Sequence, residues 1–144
     1  MSLYLDTSCL LKLLFPEPET NRVMQILAAE EHVVVSSLAR LEALVHIHAR
    51  TAGGLLSSAA ARSLIKRLEA LLRQEPYEVV RIASDVVELA EGQVRRLPLR
   101  AYCATLDRLH LAVMKSLDVT RVLTNDDAQA RAARGVGFSA VVPR

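Results

Sequence analysis

Four acidic residues stand where a chain of this kind builds cation sites: Asp6, Glu42, Asp107 and Asp126. Asp6 closes the apolar run Leu3-Tyr4-Leu5, and Asp126 closely follows Val122-Leu123-Thr124. Glu42 and Asp107 interrupt apolar helical stretches, Leu38 to Val45 and Leu106 to Met114. A carboxylate on a core-facing helix costs on the order of several kcal/mol unless its charge is compensated. A hard divalent cation held by carboxylate oxygens and water is the simplest compensation. The pattern therefore points to a Mg²⁺- or Mn²⁺-dependent enzyme.

Each acid also has a structural explanation. Asp6, followed by Thr7-Ser8 and an apolar helix, suits an N-cap, as does Asp126 within Thr124-Asn125-Asp126-Asp127. Glu42 is explained equally well as a solvent-facing residue paired with Arg40 or His46, and Asp107 as half of a buried pair with Arg108 or Arg100. The four together say more than any one of them. Two at strand ends and two on helices able to pack nearby are what a shared cation site requires. Thr7, Ser8 and Thr124 are candidates for donating to a metal water or a phosphate, with helix capping as the alternative. His46, His48 and His110 are expected to be packed and hydrogen-bonded rather than catalytic, since a zinc site needs more His or Cys at tighter spacing.

The elements that must position these residues alternate. Strands are expected at Leu3 to Leu5, His32 to Val35, Glu78 to Ile82, Arg121 to Leu123 and Ser139 to Val142. Between them lie helices over Thr7 to Phe15, stopped by Pro16 and Pro18, and over Glu19 to Glu31. Another begins at a Ser36 or Ser37 cap and ends at Gly53-Gly54. Others run from Ser57 or Ser58 to Gln74, from Ser84-Asp85 to Arg96, from Ala101 to Leu117, and from Asp126 to Ala133. Alternation of this kind means an α/β fold: a parallel sheet covered by helices on both faces, a three-layer α/β/α sandwich. Ligands bind such sheets outside the carboxyl ends of the strands, where Asp6 and Asp126 fall.

At 144 residues the chain is expected to form a single domain, residues 1–144, with a real core. Aromatics make up only 3% and Trp is absent, so the core is aliphatic and base recognition by stacking platforms is disfavoured. The net charge of +2 is diagnostic of little, but its distribution is informative. Basic residues cluster at Arg62/Lys66/Arg67/Arg73, at Arg95/Arg96/Arg100 and at Arg131/Arg134, either as solvated helix faces or as a basic rim for a polyanion. Cys9 and Cys103 lack metal-ligand spacing and are expected to be reduced core residues, which suits a cytoplasmic setting. No cleavable leader is expected, since Asp6 falls where its apolar segment would lie, and no apolar run reaches the ~20 residues of a membrane helix.

End to end, the chain resembles the PIN-domain nucleases, and among them the VapC-like toxins of type II toxin–antitoxin pairs. The matching segments are Tyr4-Leu5-Asp6-Thr7-Ser8, Ser37-Leu38-Ala39-Arg40-Leu41-Glu42, Leu106 to Ala112, Leu123-Thr124-Asn125-Asp126, and the late stretch from Ala130 to Gly137. Each motif is short, while their order and spacing are specific. The resemblance implies a PIN-like sandwich and an acidic quartet at Asp6, Glu42, Asp107 and Asp126. It also implies Mg²⁺ or Mn²⁺ as cofactor, an RNA substrate, a cognate antitoxin protein and a homodimer. Arg108 stands where a small residue is common in the family, and Asp127 beside Asp126 leaves two candidates for one ligand. The apolar faces of the helices around Glu19 to Leu27 and Leu55 to Leu72 are expected to be mostly core, with part open to a dimer mate or an antitoxin helix.

Two other classes fit less well. Aspartyl-phosphate chemistry with Asp6 as nucleophile is expected to place a second Asp two residues on, where Ser8 stands. A receiver-like phosphoacceptor lacks its late lysine. A non-catalytic binding module for nucleic acid or protein remains the third reading, and metal-dependent nuclease activity separates it from the first.

Overall fold

Short apolar runs alternating with amphipathic helices give five strands and seven α-helices. The computed structural model describes residues 1–144. In chain order the elements are β1 (Leu3–Leu5), α1 (Thr7–Leu14), α2 (Thr20–Ala28), β2 (Val33–Ser36), α3 (Ser37–Ala52), α4 (Ser58–Leu72), β3 (Tyr77–Val80), α5 (Val86–Arg96), a 3₁₀ turn (Leu99–Ala101), α6 (Thr105–Leu117), β4 (Arg121–Leu123), α7 (Asp127–Gly135) and β5 (Ser139–Val141). Every strand pair is parallel, in the order β3-β2-β1-β4-β5.

Helices cover both faces, so the central strands are apolar throughout rather than alternating. All residues of β1 and β2 are buried. Successive side chains of a strand point to opposite faces, and in β1 this divides the molecule. Leu3 and Leu5 join a core built with α1 to α4, whereas Tyr4 joins the core of α5, α6 and α7. The result is the expected three-layer α/β/α sandwich.

From β1 the chain steps outward through β2 to β3, then returns to lay β4 against the other side of β1. The register pairs Leu5 with Leu123, so the residues after β1 and β4 emerge side by side. This is the switch in strand order where parallel sheets leave a crevice.

Most boundaries shift by one or two residues from expectation, and three of the shifts have a visible cause. β3 ends at Val80 rather than Ile82, because β2 offers no partner past Ser36 and the Ile82 N–H donates to Ser37 Oγ instead (3.2 Å). α2 stops at Ala28, short of Glu31; Glu30 leaves the helix and its carboxylate is taken by Arg121. α6 starts at Thr105, not Ala101. The Ala101 carbonyl, which a longer helix would offer to residue 105, accepts from the buried Arg108 guanidinium (2.6 Å). Of the two possible caps of α3, Ser36 does the work, its hydroxyl accepting from the Ala39 N–H (3.1 Å).

Candidate active site

Asp6 leaves β1 buried, with its backbone N–H donating to the Leu123 carbonyl (3.0 Å). It occupies the N-cap position of α1, yet its side chain makes no capping bond. Instead Oδ2 accepts from Thr124 Oγ1 (2.7 Å) and Ser8 Oγ (2.9 Å). Thr124 is fully buried, and its hydroxyl in turn accepts from the Asp126 N–H (3.1 Å). Ser8 Oγ accepts from the Asn125 N–H (3.0 Å). These hydroxyls therefore neither cap helices nor point to open solvent; they clamp the Asp6 carboxylate to the loop after β4.

Asp126 does cap its helix, Oδ1 accepting from the N–H groups of Ala128 (2.8 Å) and Gln129 (3.2 Å). The cap explanation thus holds for one of its two oxygens. Asp127 is exposed and pairs with Arg144 (3.0 Å). Between the two neighbours, it is the charge of Asp126 that reaches Asp107.

Glu42 projects from α3 and is half-buried. It pairs with neither Arg40 nor His46. Its Oε1 accepts from Thr7 Oγ1 (2.9 Å) and makes a very short hydrogen bond with His110 Nε2. Burial opposes ionisation here, but the His110 and Thr7 hydrogen bonds outweigh it and hold the carboxyl below the usual range. Burial likewise opposes charge on His110, yet the Glu42 bond and the carboxylates of Asp6 and Asp107 leave its pKa raised. On its other side, His110 Nδ1 lies 2.6 Å from the Tyr4 hydroxyl.

Asp107 sits one turn earlier on α6. The buried pair with Arg108 or Arg100 does not form; Arg108 is committed to the Ala101 carbonyl and to Gln93 Oε1 (3.3 Å). Burial pushes the Asp107 carboxyl up, and the negative charges of Asp6, Asp126 and Glu42 push further, to about 6. The four acids therefore share one electrostatic environment. None of Asp6, Asp107 and Asp126 has a basic ion-pair partner.

No three His, Cys, Asp or Glu side chains converge into a ready-made coordination shell. Mg²⁺ does not need one, since it keeps several waters and takes one or two direct carboxylates. An all-oxygen donor set with uncompensated negative charge suits such a hard cation.

His110 was expected to be a packed, hydrogen-bonded residue, and it is, but its partner is the site itself. The available signal was its spacing: Asp107 and His110 stand three apart on one helix and so share a face. His46 is packed against Phe15 and bonded to Arg50, whereas His48 is exposed. Cys9 and Cys103 are free and buried, as expected.

Comparison with known proteins gives the family and the fold. The family model described as PIN domain matches residues 3–135. The chain is 31% identical over 144 residues to Ribonuclease VapC46 of Mycobacterium tuberculosis, covering 99% of this chain and 98% of that protein. Among solved structures it resembles the Mycobacterium tuberculosis sarcin-ricin loop cleaving toxin VapC20, with a TM-score of 0.72, 19% identity and coverage of 98% and 99% of the two chains. It also resembles VapBC2 from Rickettsia felis, solved with a DNA fragment from their promoter, at a TM-score of 0.73, 12% identity and coverage of 99% and 98%.

Proposed function

This chain belongs to the PIN-domain family, in its VapC-like group, and we propose that it is a divalent-cation-dependent endoribonuclease acting as the toxin of a type II toxin–antitoxin pair. One observation carries the proposal. Asp6, Glu42 and Asp126 all act on the Asp107 carboxyl at the switch in strand order, and Asp6, Asp107 and Asp126 have no base to neutralise them. Asp6, Glu42, Asp107 and Asp126 are the proposed ligands, of either Mg²⁺ or Mn²⁺. When bound there, such a cation lowers the pKa of a water and neutralises charge on the scissile phosphate.

The chain's own residues set the geometry. Thr124 and Ser8 fix the Asp6 carboxylate, Thr7 and His110 fix that of Glu42, and the α7 N-terminus fixes Asp126. No side-chain nucleophile is needed, and none of the hydroxyls is free of the carboxylates. Arg95, Arg96 and Arg100, exposed on α5 and the turn that follows, are suited to the flanking phosphates of an RNA.

A homodimer and a cognate antitoxin belong to the same reading. The face formed by α5, the 3₁₀ turn and α6 encloses a mostly apolar cavity of about 520 Å³. Leu99 on it is 94% exposed and Tyr102 74%, apolar surface of the kind a partner chain covers. The exposed Leu41, Val45 and Met24 on α3 and α2 offer a second strip for an antitoxin helix. No helix is long and apolar enough to cross a membrane, and two buried free thiols suit a reducing cytoplasm.

The test is RNA cleavage by the purified protein. It is expected to require Mg²⁺ or Mn²⁺ and to stop with EDTA, and sequencing the cleaved ends identifies the site. Undiminished cleavage in EDTA contradicts the cation site. Light scattering at high micromolar concentration is expected to show a dimer; a monomer there contradicts that part.

A further inference from the structure

We propose that His110, backed by Tyr4, is a positioning residue that fixes Glu42 in place for cation binding; this rests on the cation-site reading above. The observation is a run of hydrogen bonds through four elements, β2, β1, α6 and α3, closed by the α3 backbone between Ala39 and Glu42. It begins on α3, where the Ala39 N–H donates to Ser36 Oγ (3.1 Å). It crosses to β1 through the Tyr4 hydroxyl, which donates to the same Ser36 oxygen (2.8 Å). It continues to α6 through Tyr4 and His110 Nδ1 (2.6 Å), and returns to α3 through His110 Nε2 and Glu42. Tyr4 and His110 are both almost wholly buried.

The fold explains why these residues meet. Tyr4 is the only β1 side chain directed to the α6 layer, since Leu3 and Leu5 face the other core. Its ring meets the His110 imidazole edge-on at 5.7 Å between centroids. Glu42 stands on the opposite layer, on a helix whose exposed face carries Leu41 and Val45. Left to itself, a half-exposed glutamate samples many rotamers. Here the imidazole fixes one of its oxygens from inside the protein, while Thr7 fixes it from α1. α6 thus contributes twice: Asp107 faces the site directly, and His110, three residues on, holds the acid from the other layer.

Partners of metal ligands tune affinity through orientation, and removing them typically costs ~10–100-fold in affinity or activity. The test uses the full-length protein and manganese chloride, with Mn²⁺ binding read by calorimetry and by the shift in melting temperature, beside RNA cleavage. His110→Leu is expected to raise the half-saturating Mn²⁺ concentration toward the upper part of that range, and Tyr4→Phe to raise it ~10-fold. His110→Gln, whose amide nitrogen can still donate to Glu42, is expected to recover most of the loss. Asp6→Asn serves as the control that removes a proposed ligand outright.

If His110→Leu does not fold, Tyr4→Phe decides, because it deletes one hydroxyl and keeps the ring. Variants that melt earlier in EDTA yet keep the wild-type half-saturation overturn the positioning role, provided Asp6→Asn abolishes the response. If wild type itself shows no Mn²⁺ response, the cation reading fails, and this inference with it.

Discussion

At the amino ends of the strands, Glu30 accepts from both terminal nitrogens of Arg121, at 2.7 and 3.2 Å, and Glu78 sits 2.5 Å from His32 Nε2. At the carboxyl ends, Asp6, Asp107 and Asp126 have no basic partner, and Glu42 has only a histidine that it shares with Tyr4. Away from both edges the same economy holds: the buried Lys12 is matched by Glu17 (2.6 Å) and Glu19 (3.3 Å). These pairs are neutralised locally, whereas Asp6, Asp107 and Asp126 at the switch in strand order are not. The charges at the amino edge are paired with one another, whereas the carboxyl edge carries repulsion that a proton on Asp107 or an added cation would relieve. Perturbed carboxyl groups gathered in this way make the carboxyl edge the candidate functional site.

The contrast is sharpest in activity. Asp6→Asn or Asp107→Asn is expected to lower the rate of RNA cleavage at least ~100-fold, since losing a ligand disables positioning and water activation together. Glu30→Gln and Glu78→Gln, at the other edge, are expected to cleave as wild type does. Equal losses at both edges, measured on folded proteins, would erase the distinction.

A smaller effect concerns pH. The folded Asp107 carboxyl titrates at about 6, above the ~3.9 of an unfolded aspartate. The folded state therefore holds this proton more tightly, and the stability it contributes is full below about pH 4 and lost as pH rises through 6. In EDTA, wild type is expected to lose about 1 kcal/mol across this window relative to Asp107→Asn, once solvent screening of a half-exposed group is allowed for. Urea melts at pH 4 and pH 7 measure it. Parallel pH profiles for the two proteins would show that the acids do not repel.

The smallest effects belong to the amino edge. Glu30→Gln is expected to cost about 1 kcal/mol, because its pair with Arg121 is bidentate and partly buried. Glu78→Gln, on the surface, is expected to cost less than about 0.5 kcal/mol. Chemical denaturation of both variants checks the order, and a larger cost for Glu78 would reverse it.

The sequence carried the strands, the layers and the acids for one physical reason. Apolar periodicity reports burial directly, and a carboxylate inside such a period stands out because burying it is costly. Leu3 to Leu5 and Arg121 to Leu123 are legible in this way, as are Glu42 and Asp107. Partnerships are not legible, since they form between residues far apart in the chain. Glu42 and His110 are separated by 68 positions, and nothing near either residue marks the other. The same holds for Arg108, whose hold on the Ala101 carbonyl delays the start of α6, and for the end of β3, which depends on where β2 stops. Thr7, Ser8 and Thr124 look like helix caps locally, and only the adjacency of β1 and β4 turns Ser8 and Thr124 toward Asp6.

The most direct test of an uncompensated carboxyl edge needs no RNA. Thermal melts of wild type and Asp107→Asn are compared in EDTA and over a Mg²⁺ or Mn²⁺ series. Wild type is expected to gain roughly 1.4 kcal/mol at ten times the dissociation constant. Asp107→Asn is expected to be at least as stable as wild type in EDTA and to lose most of that gain. A strongly destabilised Asp107→Asn in EDTA, with melting points that the cation leaves unmoved in both proteins, would contradict the cation site and make Asp107 a structural residue.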